Sequence, residues 1–275
     1  MAGAEEKFGS LAESVYRHKY AMKFGDGTKE GWADTARRNT DSVCAPYDKD
    51  LAYECFGFIN RRALMPAGRY LYAAGRKYHQ TNNCSLLKVS DSRKGWAGLA
   101  QRTCNMLMTG MGVGVVYSDV REKNATVGGL GGLATGPCAL MQIINEQGRH
   151  IQQGGSRRSA LWAGLHWHHQ DVFDFIALKN WPEWMRKAKQ EDFNASATMD
   201  GTNISVILDD AFFHAWHSPR HRMHSHARSV YAKVVRQMLK TGEPGFSIDV
   251  GKNAGEHLRN ACTEGCSRDD DDVWN

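Results

Sequence analysis

Toward the end of the sequence, Asn260-Ala261-Cys262-Thr263-Glu264 sets an amide and a carboxylate two residues to either side of a thiol. In an extended or looped backbone, side chains two residues apart project the same way, so all three can face one ligand. A carboxylate shuttles protons, an amide holds a hydroxyl, and a sulfur serves radical or nucleophilic chemistry. A buried cysteine in a turn is the plainer alternative. Two glycine-rich stretches come next. Gly110-Met111-Gly112-Val113-Gly114 resembles an anion-cradling loop, because glycine lets backbone N–H groups approach closely. It lacks the Lys-Ser/Thr ending of a P-loop and the acid about 20 residues on that a dinucleotide fingerprint requires. A tight turn feeding a buried strand explains it equally well. Gln153-Gly154-Gly155-Ser156-Arg157-Arg158 joins backbone freedom to arginine forks suited to phosphate oxygens. His166, His168 and His169 cluster without a cysteine or carboxylate set at zinc-ligand spacing, so no metal site is expected.

The elements that must hold these residues are readable from periodicity. Between residues 11 and 63 apolar positions recur at three and four, with Gly25-Asp26-Gly27 as a turn, which predicts a helical N-terminal region over residues 1–63. After Pro66 short apolar runs lie between glycine clusters, at 84–89, 113–117, 160–167, 204–208 and 245–249, and these are strand candidates. Helical patterns at 96–108, 137–149, 170–179 and 227–240 alternate with them. Such alternation predicts an α/β fold with a parallel-rich sheet or barrel over residues 64–275.

Bulk properties narrow the function classes. With 275 residues, 41% hydrophobic and 24% charged, the chain can bury a sizeable core and is neither disordered nor fibrous. No stretch approaches the roughly 20 apolar residues of a membrane span, and Glu5 and Glu6 stand where a signal peptide is basic; a cytoplasmic protein with no membrane partner is expected. Seven irregularly spaced cysteines do not form a secreted disulfide framework, so reduced thiols are expected. The net charge of +5 is scattered, which suits anionic small molecules, and no nucleic-acid partner is expected.

Several motifs agree in order. Met65-Pro66-Ala67-Gly68-Arg69-Tyr70-Leu71, His79-Gln80-Thr81-Asn82-Asn83-Cys84, Thr135-Gly136-Pro137, and Gln153-Gly154-Gly155 with Arg157-Arg158 are followed by Ala163-Gly164-Leu165-His166-Trp167. Thr202-Asn203-Ile204-Ser205-Val206 and Gly242-Glu243-Pro244-Gly245-Phe246-Ser247 complete the series. Together with the Cys262 motif they resemble the catalytic chain of ribonucleotide reductases, more closely the adenosylcobalamin-dependent class than the di-iron class. The resemblance implies a ten-stranded α/β barrel of two halves, of which this chain supplies the N-terminal half and the central finger loop. By resemblance, Cys262 is the thiyl radical that takes the ribose 3'-hydrogen, Glu264 handles the 3'-hydroxyl proton, Asn260 orients the substrate hydroxyls and Cys84 is one of two reducing thiols. Asp91 and Arg121 match residues that contact a deoxynucleotide effector, and Gln153 and Arg157 fall in the loop that relays effector identity. Adenosylcobalamin as cofactor, a ribonucleotide substrate and a thioredoxin-like reductant are implied as well. The 178-residue interval from Cys84 to Cys262 leaves no room for the insertion of monomeric members, so a homodimer is expected.

The pattern also departs from that family. Trp274-Asn275 stands where the family has its second redox cysteine in a Cys-Asn-Leu-Gly run. A complementary C-terminal half-chain is therefore expected, with Cys266 as a candidate substitute thiol. A catalytically inactive nucleotide-binding or regulatory remnant is the alternative, and a glycyl-radical enzyme, which shares the barrel and finger cysteine, is a third reading.

Overall fold

The computed structural model describes residues 9–77, 80–129, 131–153, 157–255 and 257–268, with the side chains of Gln153, Arg157 and Asn253 outside that description. The chain forms two compact units, Met1–Asn83 and Cys84–Asn275.

The first unit is helical, with α1 (Ser10–Lys19), α2 (Trp32–Val43), α3 (Lys49–Asn60) and α4 (Gly68–Ala73). Asp48 starts α3 by accepting from the N–H groups of Asp50 and Leu51, which the first helical turn leaves unpaired. The loop before α2 buries Glu30, at 2% exposure. Arg38 grips its carboxylate through Nη2 at 2.5 Å and Nε at 3.0 Å, while the Thr35 hydroxyl and the Met22 N–H add two donors. Burial pushes the Glu30 pKa up, and these donors more than reverse it, so the group sits below the usual carboxylate range.

The second unit begins with β1 (Cys84–Lys88), α5 (Arg93–Thr109), β2 (Gly112–Val116), β3 (Thr126–Val127), β4 (Gly132–Leu133) and α6 (Pro137–His150). It continues through β5 (Gln152–Gln153), β6 (Arg157–Arg158), β7 (Leu161–His166), α7 (Val172–Ala177), α8 (Glu183–Glu191) and β8 (Thr202–Asp209). The elements α9 (Asp210–His217), α10 (His224–Thr241), β9 (Gly245–Asp249), β10 (Leu258–Arg259) and β11 (Cys266–Ser267) complete it. Five strands form one parallel sheet in the order β1-β2-β7-β8-β9. This is the α/β architecture that the alternation of patterns predicts. The sheet is open, with β1 and β9 at its edges, as in the first part of an α/β barrel.

Period-two alternation divides the sheet into two faces. Leu87, Val113, Val115, Leu161, Ala163, Leu165, Ile204, Val206 and Leu208 pack into the main core with Leu99 and Leu107 of α5, Leu140 and Ile144 of α6 and Val230 and Val234 of α10. The opposite face carries a smaller cluster of Leu86, Val116, Trp162, Ile207 and Leu258. Trp162 lies over Gly164, where a Cβ would stand 2.3 Å from its ring, and donates to Ser205 Oγ at 3.0 Å. All the candidate chemistry on the strands sits on this second face. Helix α5 starts at Arg93, ahead of the expected 96, because Ser92 caps it by accepting from the Gly95 N–H.

Candidate functional site

Strands β10 and β11 pair antiparallel, Arg259 opposite Cys266, and leave residues 260–265 as the tip of a finger. The finger lies on β2. A Cβ at Gly114 would stand 1.7 Å from the Arg259 carbonyl oxygen, and one at Gly112 would stand 2.9 Å from Ala261 Cβ. The Gly110-to-Gly114 stretch is thus a seat for backbone and not an anion loop: Gly110 ends α5 at φ +101°, and Gly112 and Gly114 clear the surface. Arg259 ties the finger to β9 by donating from Nε to Ser247 Oγ at 3.1 Å and from Nη2 to the Ile248 carbonyl at 2.7 Å. Leu258 fills the inner-face cluster.

The tip is built around Asn260, which is buried. Its Oδ1 accepts from the Gly265 N–H at 3.0 Å and its carbonyl from the Thr263 N–H at 3.0 Å. Thr263 takes φ +67°, a conformation that costs a non-glycine residue about 1–2 kcal/mol. The turn brings Cys262 Sγ and a Glu264 carboxylate oxygen together with Cys84 Sγ, all within 4.8 Å of one another. Cys84 opens β1 and is half-buried, whereas Cys262 and Glu264 are exposed. Asn260 braces the loop through Oδ1 and is 7% exposed. Cys266 stands on the return strand opposite Arg259.

Burial pushes the Cys84 thiol up, and neighbouring Cys262 and Glu264 push it further, to about 11. Cys84 is therefore a proton-bearing thiol at neutral pH. The same three atoms form a donor set that could hold a soft metal, but metal binding needs thiolates, which the raised Cys84 pKa opposes.

A second place brings together Asp91 and Arg121, whose Nε and Oδ2 atoms are 2.6 Å apart. They line a pocket of about 420 Å³ with Trp96 of α5, Val127 and Leu133 of the β3–β4 hairpin, Thr135 and Gly136. That size falls in the range of small-molecule sites. Gln153 and Arg157 pair across the β5–β6 hairpin; their side chains, like Trp274, lie outside the described residues.

A third cluster was not legible in the sequence. His166 ends β7, Asp209 ends β8 and Asp249 ends β9, and His168 and His257 join them. The carboxylates that the local spacing lacked arrive from other strands. Asp209 and Asp249 face each other in register, so strand pairing and shared parity were the available signal. Burial, then His168, pushes the His166 pKa down to about 4, which keeps its ring neutral.

An open parallel α/β sheet receives on its inner face a cysteine-tipped finger beside a strand-borne thiol, an arrangement consistent with the first part of an α/β barrel. The profile of the ribonucleotide reductase barrel domain matches residues 82–226, over half of the chain, and the chain belongs to that family. The match includes Cys84 and stops before the finger. A vitamin B12-dependent ribonucleoside-diphosphate reductase of Thermoplasma acidophilum is 29% identical over 193 residues, which is 66% of this chain and 23% of the relative. The ribonucleoside-diphosphate reductase large subunit of Vaccinia virus is 23% identical over 246 residues, 80% of this chain and 32% of the relative. The large chain of Schizosaccharomyces pombe is 21% identical over 245 residues, 80% of this chain and 30% of the relative. The chain thus spans about a quarter to a third of the curated relatives it matches. No helix among the described residues is long and apolar enough to cross a membrane.

Proposed function

We propose that this chain carries the substrate-reducing half of a ribonucleotide reductase site that converts ribonucleotides to 2'-deoxyribonucleotides for DNA synthesis. The observation that carries the reading is the meeting of Cys84, Cys262 and Glu264 within 4.8 Å. In this reading Cys262, as a thiyl radical, takes the 3'-hydrogen atom and becomes a thiol, while Glu264 accepts the 3'-hydroxyl proton. The 2'-hydroxyl leaves as water, protonated by a thiol that must still hold its proton. Cys84, with its raised pKa, meets that demand. Two electrons come from Cys84 and a second thiol, for which Cys266 is the candidate. One of their hydrogens leaves in the water, the other goes to C2', and the two sulfurs join as a disulfide. Glu264 then returns the 3'-hydroxyl proton and Cys262 its hydrogen atom to C3'. Asn260, with Oδ1 engaged by the loop, offers its amide N–H groups to a substrate hydroxyl.

The exposed surface of Cys262, Thr263 and Glu264 fits the approach of a large cofactor such as adenosylcobalamin. These residues would meet it, and it would supply the initiating radical. The B12-dependent relative and the closeness of the motifs favour that class over a di-iron subunit. Because the aligned region is a fraction of each relative, turnover is assigned to an assembly with the remaining barrel strands, as a homodimer in the cytoplasm with a thioredoxin-like reductant. The test is deoxynucleotide formation by that assembly with adenosylcobalamin. Cys262→Ser is expected to lower it by more than about 10³-fold, the scale for losing a group that acts in the transition state. Retained turnover in Cys262→Ser, with an unchanged melting temperature, would refute the assignment.

The Asp91–Arg121 pocket is the proposed effector site, with Gln153 and Arg157 in the relay loop. Arg121→Ala is expected to weaken deoxynucleoside triphosphate binding about tenfold or more in calorimetry, because a charge-assisted contact contributes about 1.5–3 kcal/mol. Unchanged affinity would leave this pocket without that role.

A further inference from the structure

The finger runs antiparallel to β2, since Gly114 faces Arg259 and Gly112 faces Ala261. Its tip therefore lies toward the N-terminal ends of the parallel strands and its base toward their C-terminal ends. His257 stands at that base, next to the last residues of β7 and β9. We propose that His166, Asp249 and His257 bind a divalent transition-metal ion of the zinc or ferrous type, which fastens the base of the finger to the sheet. The proposal goes beyond the reductase reading, because it concerns residues at the other end of the finger from Cys262.

Four observations support it. One ligand atom from each of the three residues lies within 4.8 Å of the other two. The Asp249 Oδ2 to His257 Nδ1 separation is 3.7 Å, beyond hydrogen-bond reach. It is close to the roughly 3.4 Å between two ligands that each stand about 2.0–2.1 Å from a tetrahedral ion. The carboxylate is also oriented from behind: Asp249 Oδ1 accepts from the Gly255 N–H at 2.9 Å, which turns Oδ2 toward the imidazole. Such outer hydrogen bonds are characteristic of ligating carboxylates. Lastly, His166 Nδ1 is buried and has no hydrogen-bond partner among the described residues, with Asp209 Oδ2 3.8 Å away, so it calls for an unseen partner at the place where the two triads that share His166 meet.

Asp249 is 5% exposed, and a bound cation would compensate a carboxylate buried to that degree. Two imidazoles and one carboxylate make an N/O set that zinc and ferrous ions favour over magnesium or calcium. His168 and Asp209 form an overlapping triad with His166, Asp209 Oδ2 standing 3.8 Å from His166 Nδ1. In that triad His168 is exposed; the finger-side triad is the more enclosed and is the one assigned.

The experiment uses the untagged chain, stripped with a chelator and titrated with Zn²⁺ by calorimetry and with Co²⁺ by visible absorption. One equivalent is expected to bind and to raise the melting temperature. His257→Gln and Asp249→Asn are each expected to weaken binding beyond the roughly 10–100-fold of losing an outer-shell partner. His168→Ala, Cys262→Ser and the double variant His214→Ala/His221→Ala, which removes a separate imidazole pair at 5.3 Å, are expected to bind as before. Metal-free melts of His257→Gln and Asp249→Asn confirm folding, and the metal-dependent shift should vanish in both. No stoichiometric uptake, or uptake that survives His257→Gln and Asp249→Asn, would overturn the proposal, as would loss of binding in His168→Ala. These readouts require no reductase turnover, so failure here is distinct from failure of the proposed function.

Discussion

Cys84 owes its acidity to its surroundings. Burial and the nearby Cys262 and Glu264 disfavour its thiolate, so its pKa stands at about 11 instead of the ordinary thiol value. The sign follows directly: a group with a raised folded pKa adds stability that is fully present below the unfolded value and is lost as pH rises through about 11. At pH 8, iodoacetamide is expected to label exposed Cys262 before Cys84, as peptide mass spectrometry would show, with Cys84 labelling still climbing toward pH 11. Glu264→Gln removes one of the negative neighbours, so it should lower the Cys84 pKa and speed Cys84 labelling at pH 9. An unchanged rate would mean that Glu264 does not act on Cys84.

At the scale of elements, the site depends on how closely the finger approaches β2. Gly114→Ala would put a methyl group 1.7 Å from the Arg259 carbonyl, a backbone atom that cannot swing away. Overpacking of this kind costs about 1–3 kcal/mol, and the finger must lift. The expected result is a lower denaturation midpoint together with a reduced yield of the Cys84–Cys262 disulfide when diamide oxidises the thiol pair. Gly98→Ala in α5 is the matched control: a Cβ there meets nothing within 4 Å among the described residues, and replacing a helical glycine gains up to about 1 kcal/mol. Equal midpoints for the two variants would contradict the seat assigned to Gly114.

At the scale of the whole molecule, the five-stranded sheet leaves β1 and β9 with one strand neighbour each among the described residues. Unpaired strand edges invite pairing with another chain. A chain with such edges is therefore expected to self-associate in size-exclusion chromatography, and pairing of the edges with further strands should suppress this and raise the melting temperature. A monodisperse monomer with one sharp transition would contradict the expectation.

The sequence alone determined the α/β class and the rough positions of the five parallel strands, because helical and strand periods are local properties of side-chain order. It also marked Cys262 and Glu264, whose two-residue spacing survives folding. Asn260 shares that spacing and also braces the tip, where its side-chain oxygen holds the Gly265 N–H. The resemblance already placed Cys84 and Cys262, 178 residues apart, in one site; only the tertiary structure decided that Gly112 and Gly114 form a seat and that Asp209, Asp249 and His257 gather around His166. Each of these depends on strand order, register and the crossing of the finger over the sheet. Those are set by packing between segments distant in sequence, and no local pattern encodes them.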